Sequence, residues 1–152
     1  MTTTTTKPRR NHRSAKSAGT RFERTVADYL AATLDDRIDR RVKTGNKDCG
    51  DIGGVRRSPC GSRIAIECKD TSKIDLPQWT REAAVEAAND GALVGVVVHK
   101  RRGVTDPAQQ WVALTLGDLV ALLSGQRPSP HVARTGDCAP VVETSNTEAV
   151  SA

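Results

Sequence analysis

The sequence predicts an α/β fold, a mixed central β-sheet flanked by helices, and three patterns carry that prediction. Apolar residues recur at helical steps near the start, residues 51–69 alternate like a hairpin around a Gly- and Pro-containing turn, and residues 92–98 form an unbroken apolar run. The chain has 152 residues with only one Phe, one Tyr and two Trp, so its core must be built from Val, Ile, Leu and Ala. That length suits one domain with tails.

Along the chain, Phe22, Val26, Tyr29, Leu30 and Leu34 predict an amphipathic helix over residues 20–34, with Glu23 beside the apolar stripe. Ile38 and Val42 alternate with charged residues, predicting a half-buried strand over 37–43 and then a loop at 44–47. Residues 51–55 and 63–69 are strand-like and flank the turn-forming stretch 57–62. Asp75 is placed to cap, and Pro77 to begin, a helix through Trp79, Ala83, Ala84, Ala87 and Ala88 that ends near Asn89 and Gly91. The run 92–98 has the continuous apolar character of a central strand covered on both faces. Residues 111–114 add a strand and 116–123 a closing helix, so the order is α-β-β-β-α-β-β-α, without internal repeats.

The net charge of +5 is concentrated at one end. Residues 1–22 carry six basic side chains (Lys7, Arg9, Arg10, Arg13, Lys16, Arg21) and no acidic one. A basic, Thr- and Ser-rich arm without apolar periodicity cannot offset its ordering entropy by burial, so residues 1–18 are expected to be disordered. Such an arm either binds nucleic acid through its phosphates or is a solvated tail. Residues 126–152 mix Pro, Ser, Thr, Gly and Ala and predict a second flexible tail, leaving 19–125 as the folded domain. No run approaches the roughly eighteen apolar residues of a membrane span, and no secretory signal is visible, which points to a soluble cytoplasmic protein without a membrane partner. The four cysteines are irregularly spaced without a CxxC and read as reduced thiols; His12, His99 and His131 show no metal-ligand spacing.

Strand alternation turns Glu67 and Lys69 to one face and Ile64, Ile66 and Cys68 to the other. If the preceding strand pairs across the hairpin, Asp51 lies beside Glu67, and two carboxylates and an ammonium meet at one end of the sheet. One Asp, one Glu, the backbone carbonyl of Cys68 and waters suit Mg²⁺, with Mn²⁺ as a substitute. A neighbouring lysine can orient a water or stabilise negative charge on a phosphodiester. The bland alternative is a solvent-facing Glu-x-Lys charge pair worth little energetically.

The order Glu23, then Asp51 in Gly50-Asp51-Ile52, then Glu67-Cys68-Lys69 resembles the PD-(D/E)xK nuclease superfamily. More narrowly, Gly19-Thr20-Arg21-Phe22-Glu23-Arg24 and the stretch 45–69 are similar to the opening helix and metal-binding hairpin of Holliday junction resolvases of the archaeal type and their actinobacteriophage relatives. The resemblance covers residues 19–124 and implies a restriction-endonuclease-like fold, Mg²⁺-dependent phosphodiester cleavage and a homodimer acting on a four-way DNA junction. For a phage relative, the compartment is the cytoplasm of a bacterial host. The resemblance makes Asp51 and Glu67 metal ligands, Lys69 the catalytic lysine and Glu23 a supporting acid; the first motif is Gly-Asp here rather than Pro-Asp.

Other positions follow from the same reading. Gln78, in the first turn of the second helix, is either a polar group near metal or phosphate or a solvated helix start. Asp48 either caps a turn or aids the metal. Asp70 faces away from Glu67, which argues against a metal role, and Cys68 packs toward the core. Arg9, Arg10, Arg13, Lys16, Lys43, Lys47, Lys100, Arg101 and Arg102 are expected to grip the DNA backbone, recognising shape rather than base sequence. The expected substrate is branched DNA, with no small-molecule substrate. The alternatives are a related nuclease acting on flaps or duplex, or a non-catalytic DNA-binding module of the same fold.

Overall fold

The computed structural model describes residues 12–42, 45, 47–58 and 60–128. Helix α1 (His12–Thr33) leads into strands β1 (Asp39–Arg40), β2 (Ile52–Gly53) and β3 (Ile64–Lys69). Helix α2 (Leu76–Asp90) carries the chain to β4 (Val94–His99), and after a 3₁₀ turn at Pro107–Gln109 come β5 (Trp111–Ala113) and helix α3 (Leu116–Ser124). This is the predicted element order. Arg9, Arg10, Lys43, His131, Cys138 and residues 129–152 lie outside the described residues.

The sheet is mixed, in the order β1-β2-β3-β4-β5. Ile52 opposes Ile66 in an antiparallel pair, as the hairpin reading requires, and an Arg56–Arg63 bridge continues it toward the turn. The β3–β4 pair is parallel, with Ile64 opposite Val94 and Lys69 opposite His99. Parallel neighbours need a crossover, and α2 supplies it.

Apolar alternation sorts the helices onto the two faces. Phe22, Val26 and Ala27 of α1 pack with Ile38, Ile52, Val55, Ile66 and Val98, and Ala121 of α3 packs with Val94 and Val96. The opposite face receives α2, through Trp79 and Ala83 against Val97. Strand β4 is buried along its whole length, as its apolar run predicts.

The ends of α2 follow their local signals. The Asp75 side chain accepts from the Gln78 amide at 3.2 Å, Pro77 occupies the first turn, and Gly91 closes the helix in the left-handed region at φ 59°. Asp75→Ala is expected to cost about 1 kcal/mol. Urea unfolding reads this as a lower midpoint at constant slope; an unchanged midpoint would assign the helix start to Pro77 and packing alone.

Two boundaries differ from the sequence reading. Helix α1 begins at His12 instead of residue 20 and absorbs residues 12–18 of the expected disordered arm. Ala18 is buried one turn before Phe22 and extends the apolar stripe, while Arg13, Ala15 and Lys16 are good helix formers. The buried stripe is Ala18, Phe22, Val26 and Ala27, whereas Leu34 is 65% exposed. Strand β1 is only two residues long and Val42 is 82% exposed, because the β1–β2 ladder stops at Arg40–Ile52. Among the described residues no helix is long and apolar enough to cross a membrane.

Candidate functional site

The hairpin and the alternation of β3 together build a cluster on the α2 face of the sheet. Ile66 and Cys68 pack on the α1 side, so Glu67 and Lys69 project toward α2, where Lys69 meets Glu82. Asp51 precedes Ile52, which faces α1, and so turns toward α2 as well. Its amide donates to Ile66 O at 2.8 Å, and its Oδ2 accepts from the Cys68 amide at 2.9 Å. Gly50 permits this approach: at φ 90° a Cβ there would lie 2.9 Å from Ile66 O, so a side chain would push Asp51 off the strand. Because the Cys68 amide points to the Asp51 edge, its carbonyl projects to that same edge.

Charge is concentrated here, with Glu67 buried, Lys69 half-buried and Glu82 partly exposed. Lys69 Nζ lies 2.8 Å from Glu67 Oε1 and 2.7 Å from Glu82 Oε2, spanning sheet and helix. Burial first, and then the charge of Asp51, push the Glu67 carboxyl up to about 8, with the Lys69 pair opposing. Burial and then Asp48 push Glu86 up to about 7. Burial works against the Lys69 ammonium, yet its bonds to Glu67 and Glu82 raise its pKa on balance; Lys69 in turn lowers that of Glu82. Glu67 Oε2 and Glu86 Oε2 are buried without a hydrogen-bond partner.

That donor set fits a hard divalent cation. The Glu67 oxygen is orphaned, a state that is costly for a buried carboxylate and that a cation would relieve. Among the described residues no group of three or more His, Cys, Asp or Glu side chains is arranged to hold an ion. Asp51 and Glu67 are therefore a two-carboxylate set, which the Cys68 carbonyl and waters would complete, in keeping with the hydration that Mg²⁺ retains.

The remaining candidates divide. Glu23 lies on the α1 side, paired with Arg40 at 3.0 Å and raising the Cys68 thiol's pKa only after burial, Asp51 and Glu67. Gln78 is exposed in the first turn of α2, as the solvated-start alternative has it, and its side chain donates to Glu82 at 2.8 Å. Asp48 is tied to α2 through its carbonyl, which accepts from Asn89 at 2.8 Å, and its charge acts on Glu86. Asp70 pairs with Arg102 at 3.0 Å, away from Glu67. The Lys100 ammonium lies over the Phe22 ring and the Arg101 guanidinium over Trp111, while Arg13, Lys16 and Lys47 are exposed. His99 packs on Trp79 and contacts Thr71 O at 3.1 Å.

Glu82 and Glu86 are the residues that sequence reasoning missed. Their signal is the four-residue step from Gln78, which puts 78, 82 and 86 on one helix face. Glu86 also lies among the buried alanines 83 and 87, an unusual place for an acid. Neither a protein-family model, nor a curated protein, nor a solved structure matches the chain.

Proposed function

We propose that this chain is a metal-dependent DNA endonuclease of the PD-(D/E)xK type that acts on branched DNA, most specifically as a homodimeric resolvase of four-way junctions with a restriction-endonuclease-like topology. The observation that carries the reading is the meeting of Asp51, Glu67 and Lys69 at one strand edge, with hard oxygens and an ammonium side by side. When bound, Mg²⁺ supplies Lewis-acid polarisation of a phosphodiester and of its attacking water. Asp51 and Glu67 hold the ion, and the Asp51 carboxylate is aimed by the Cys68 amide. Lys69, charged and fixed between two acids, donates an N–H to negative charge developing on the phosphate. Gln78 keeps Glu82 turned toward Lys69. Arg13, Lys16, Lys47, Lys100, Arg101 and Arg102 contribute backbone contacts, with the charges of Lys100 and Arg101 steadied over aromatic rings.

The test is cleavage of an immobile four-way junction beside a linear duplex of the same arms, with Mg²⁺ or chelator, for the native chain and Asp51→Asn. Symmetric nicks confined to the junction, dependent on Mg²⁺ and reduced at least about a thousandfold in the variant, are expected. Equal cutting of the duplex would keep the nuclease and remove the resolvase, whereas no cutting of either would favour a DNA-binding module.

A further inference from the structure

The far end of helix α2 also reaches the segment that carries Asp51. Strand alternation sends Arg40 to Glu23 on α1 and Arg41 to Asp90, the last residue of α2, at 2.9 Å. One step past the β1–β2 ladder, the Arg41 amide donates to Asp51 O at 2.7 Å, and its guanidinium donates to Cys49 O at 2.8 Å. Arg41 therefore grips the backbone on both sides of Gly50. In the same last turn of α2, Asn89 donates to Asp48 O at 2.8 Å.

This grip is anchored in a buried place. The Asp90 side chain is 9% exposed, its Oδ2 is buried without a hydrogen-bond partner, and the Arg63 guanidinium stands off at 4.0 Å. A buried carboxylate with one close cation is costly to separate from it, so Asp90 holds the guanidinium in place. The arginine stem crosses Gly53, where a Cβ would lie 2.5 Å from its Nε and 3.2 Å from its Cγ. Any side chain at position 53 would displace it. Gly50 is the freest joint of the segment, so the bonds to the carbonyls before and after it supply the rigidity that the glycine lacks.

We infer that Arg41 is a positioning residue for Asp51, fastened by Asp90 and assisted by Asn89. Helix α2 then sets both halves of the cluster: Glu82 fixes Lys69, and the last turn fixes the segment that presents Asp51. That the aimed carboxylate meets a divalent cation rests on the nuclease reading, whereas the aiming does not.

Amide hydrogen exchange of the full metal-free chain, followed residue by residue by NMR, is the test, run on the native protein, Arg41→Met and Gly53→Ala. The first variant removes the guanidinium; the second keeps it and pushes its stem aside. In both, the Asp51 and Cys68 amides, bonded to Ile66 O and Asp51 Oδ2, should lose protection at least about tenfold beyond any loss at Val97 and Val98 of β4. An ion pair that only stabilises the fold would lower all four alike, and that result overturns the inference. If Arg41→Met does not fold, Gly53→Ala decides. Isothermal titration of Mn²⁺ without DNA separates the two ideas: the native chain should bind the ion and Arg41→Met about tenfold more weakly. Equal affinities would overturn the positioning role. Selective loss of protection in a protein whose native chain takes up no Mn²⁺ would retain that role and discard the metal site.

Discussion

Glu67→Gln will raise the thermal midpoint of the metal-free chain near pH 8 and, on the proposed nuclease reading, abolish Mg²⁺-dependent cleavage. The Glu67 carboxyl is pushed from 4.5 up to about 8 and that of Glu86 up to about 7, so the folded chain keeps protons that the unfolded chain has released. Between those values the unfolded state binds fewer protons, and stability falls as pH rises. The loss begins near the unfolded value and is complete above the folded one. Glutamine removes the charge but keeps the shape: its carbonyl can accept from Lys69 and its amide can donate to Glu86. The gain at the alkaline end is on the order of 2 kcal/mol, roughly 8 °C for a domain of this size. Melting in chelator near pH 5 and near pH 8 checks the sign. The variant and the native chain should converge at the lower pH and separate at the higher, and an equal fall in both would remove Glu67 from the stability balance. Mg²⁺ should stabilise the native chain more at the higher pH, because binding has to displace those protons.

Among the described glycines, Gly95→Ala should be the most damaging substitution. A Cβ at Gly95 would lie 2.0 Å from Ala83 O and 2.4 Å from its carbonyl carbon, and the obstruction is backbone that no rotamer change relieves. Helix α2 would have to lift from β4, carrying Gln78, Glu82 and Glu86 with it. We expect a loss of at least about 3 kcal/mol, read as a large fall in the urea midpoint. Gly103→Ala is the control, since its Cβ would meet nothing within 4 Å and only its φ of 80° is strained; the expected loss there is about 1 kcal/mol. Equal losses would mean that strand–helix proximity at position 95 is not limiting.

What the sequence made legible was whatever local chemistry decides. The unbroken apolar run before His99 announced β4, and Asp75, Pro77 and Gly91 bounded α2 because caps and breakers act within one turn. The meeting of Asp51, Glu67 and Lys69 followed from the two-residue period of strands and one hairpin pairing. Tertiary packing decided the remainder. The start of α1 depended on Ala18 being buried, which its basic neighbours concealed, and Val42 fell outside a ladder whose length the alternation does not encode. Glu23 sat at the expected helical position, yet its ion pair with Arg40 turns on the packing of α1 beside β1. Glu82 and Glu86 looked like the solvated face of an alanine-rich helix; only the crossover that lays α2 over β3 shows that this face looks inward.

The bridging of Lys69 between strand and helix also has a directional meaning. An ammonium has three donors in tetrahedral array, and Glu67 and Glu82 take two of them at 2.8 and 2.7 Å. With two bonds anchored on different layers, the group cannot spin about its Cε–Nζ bond without breaking one, so the third N–H has a set bearing. A normally swivelling side chain thereby becomes a single pointer, aimed by an acid on the sheet and an acid on the helix. A guanidinium at this position would present a flat fork and lose that bearing even though its charge is the same.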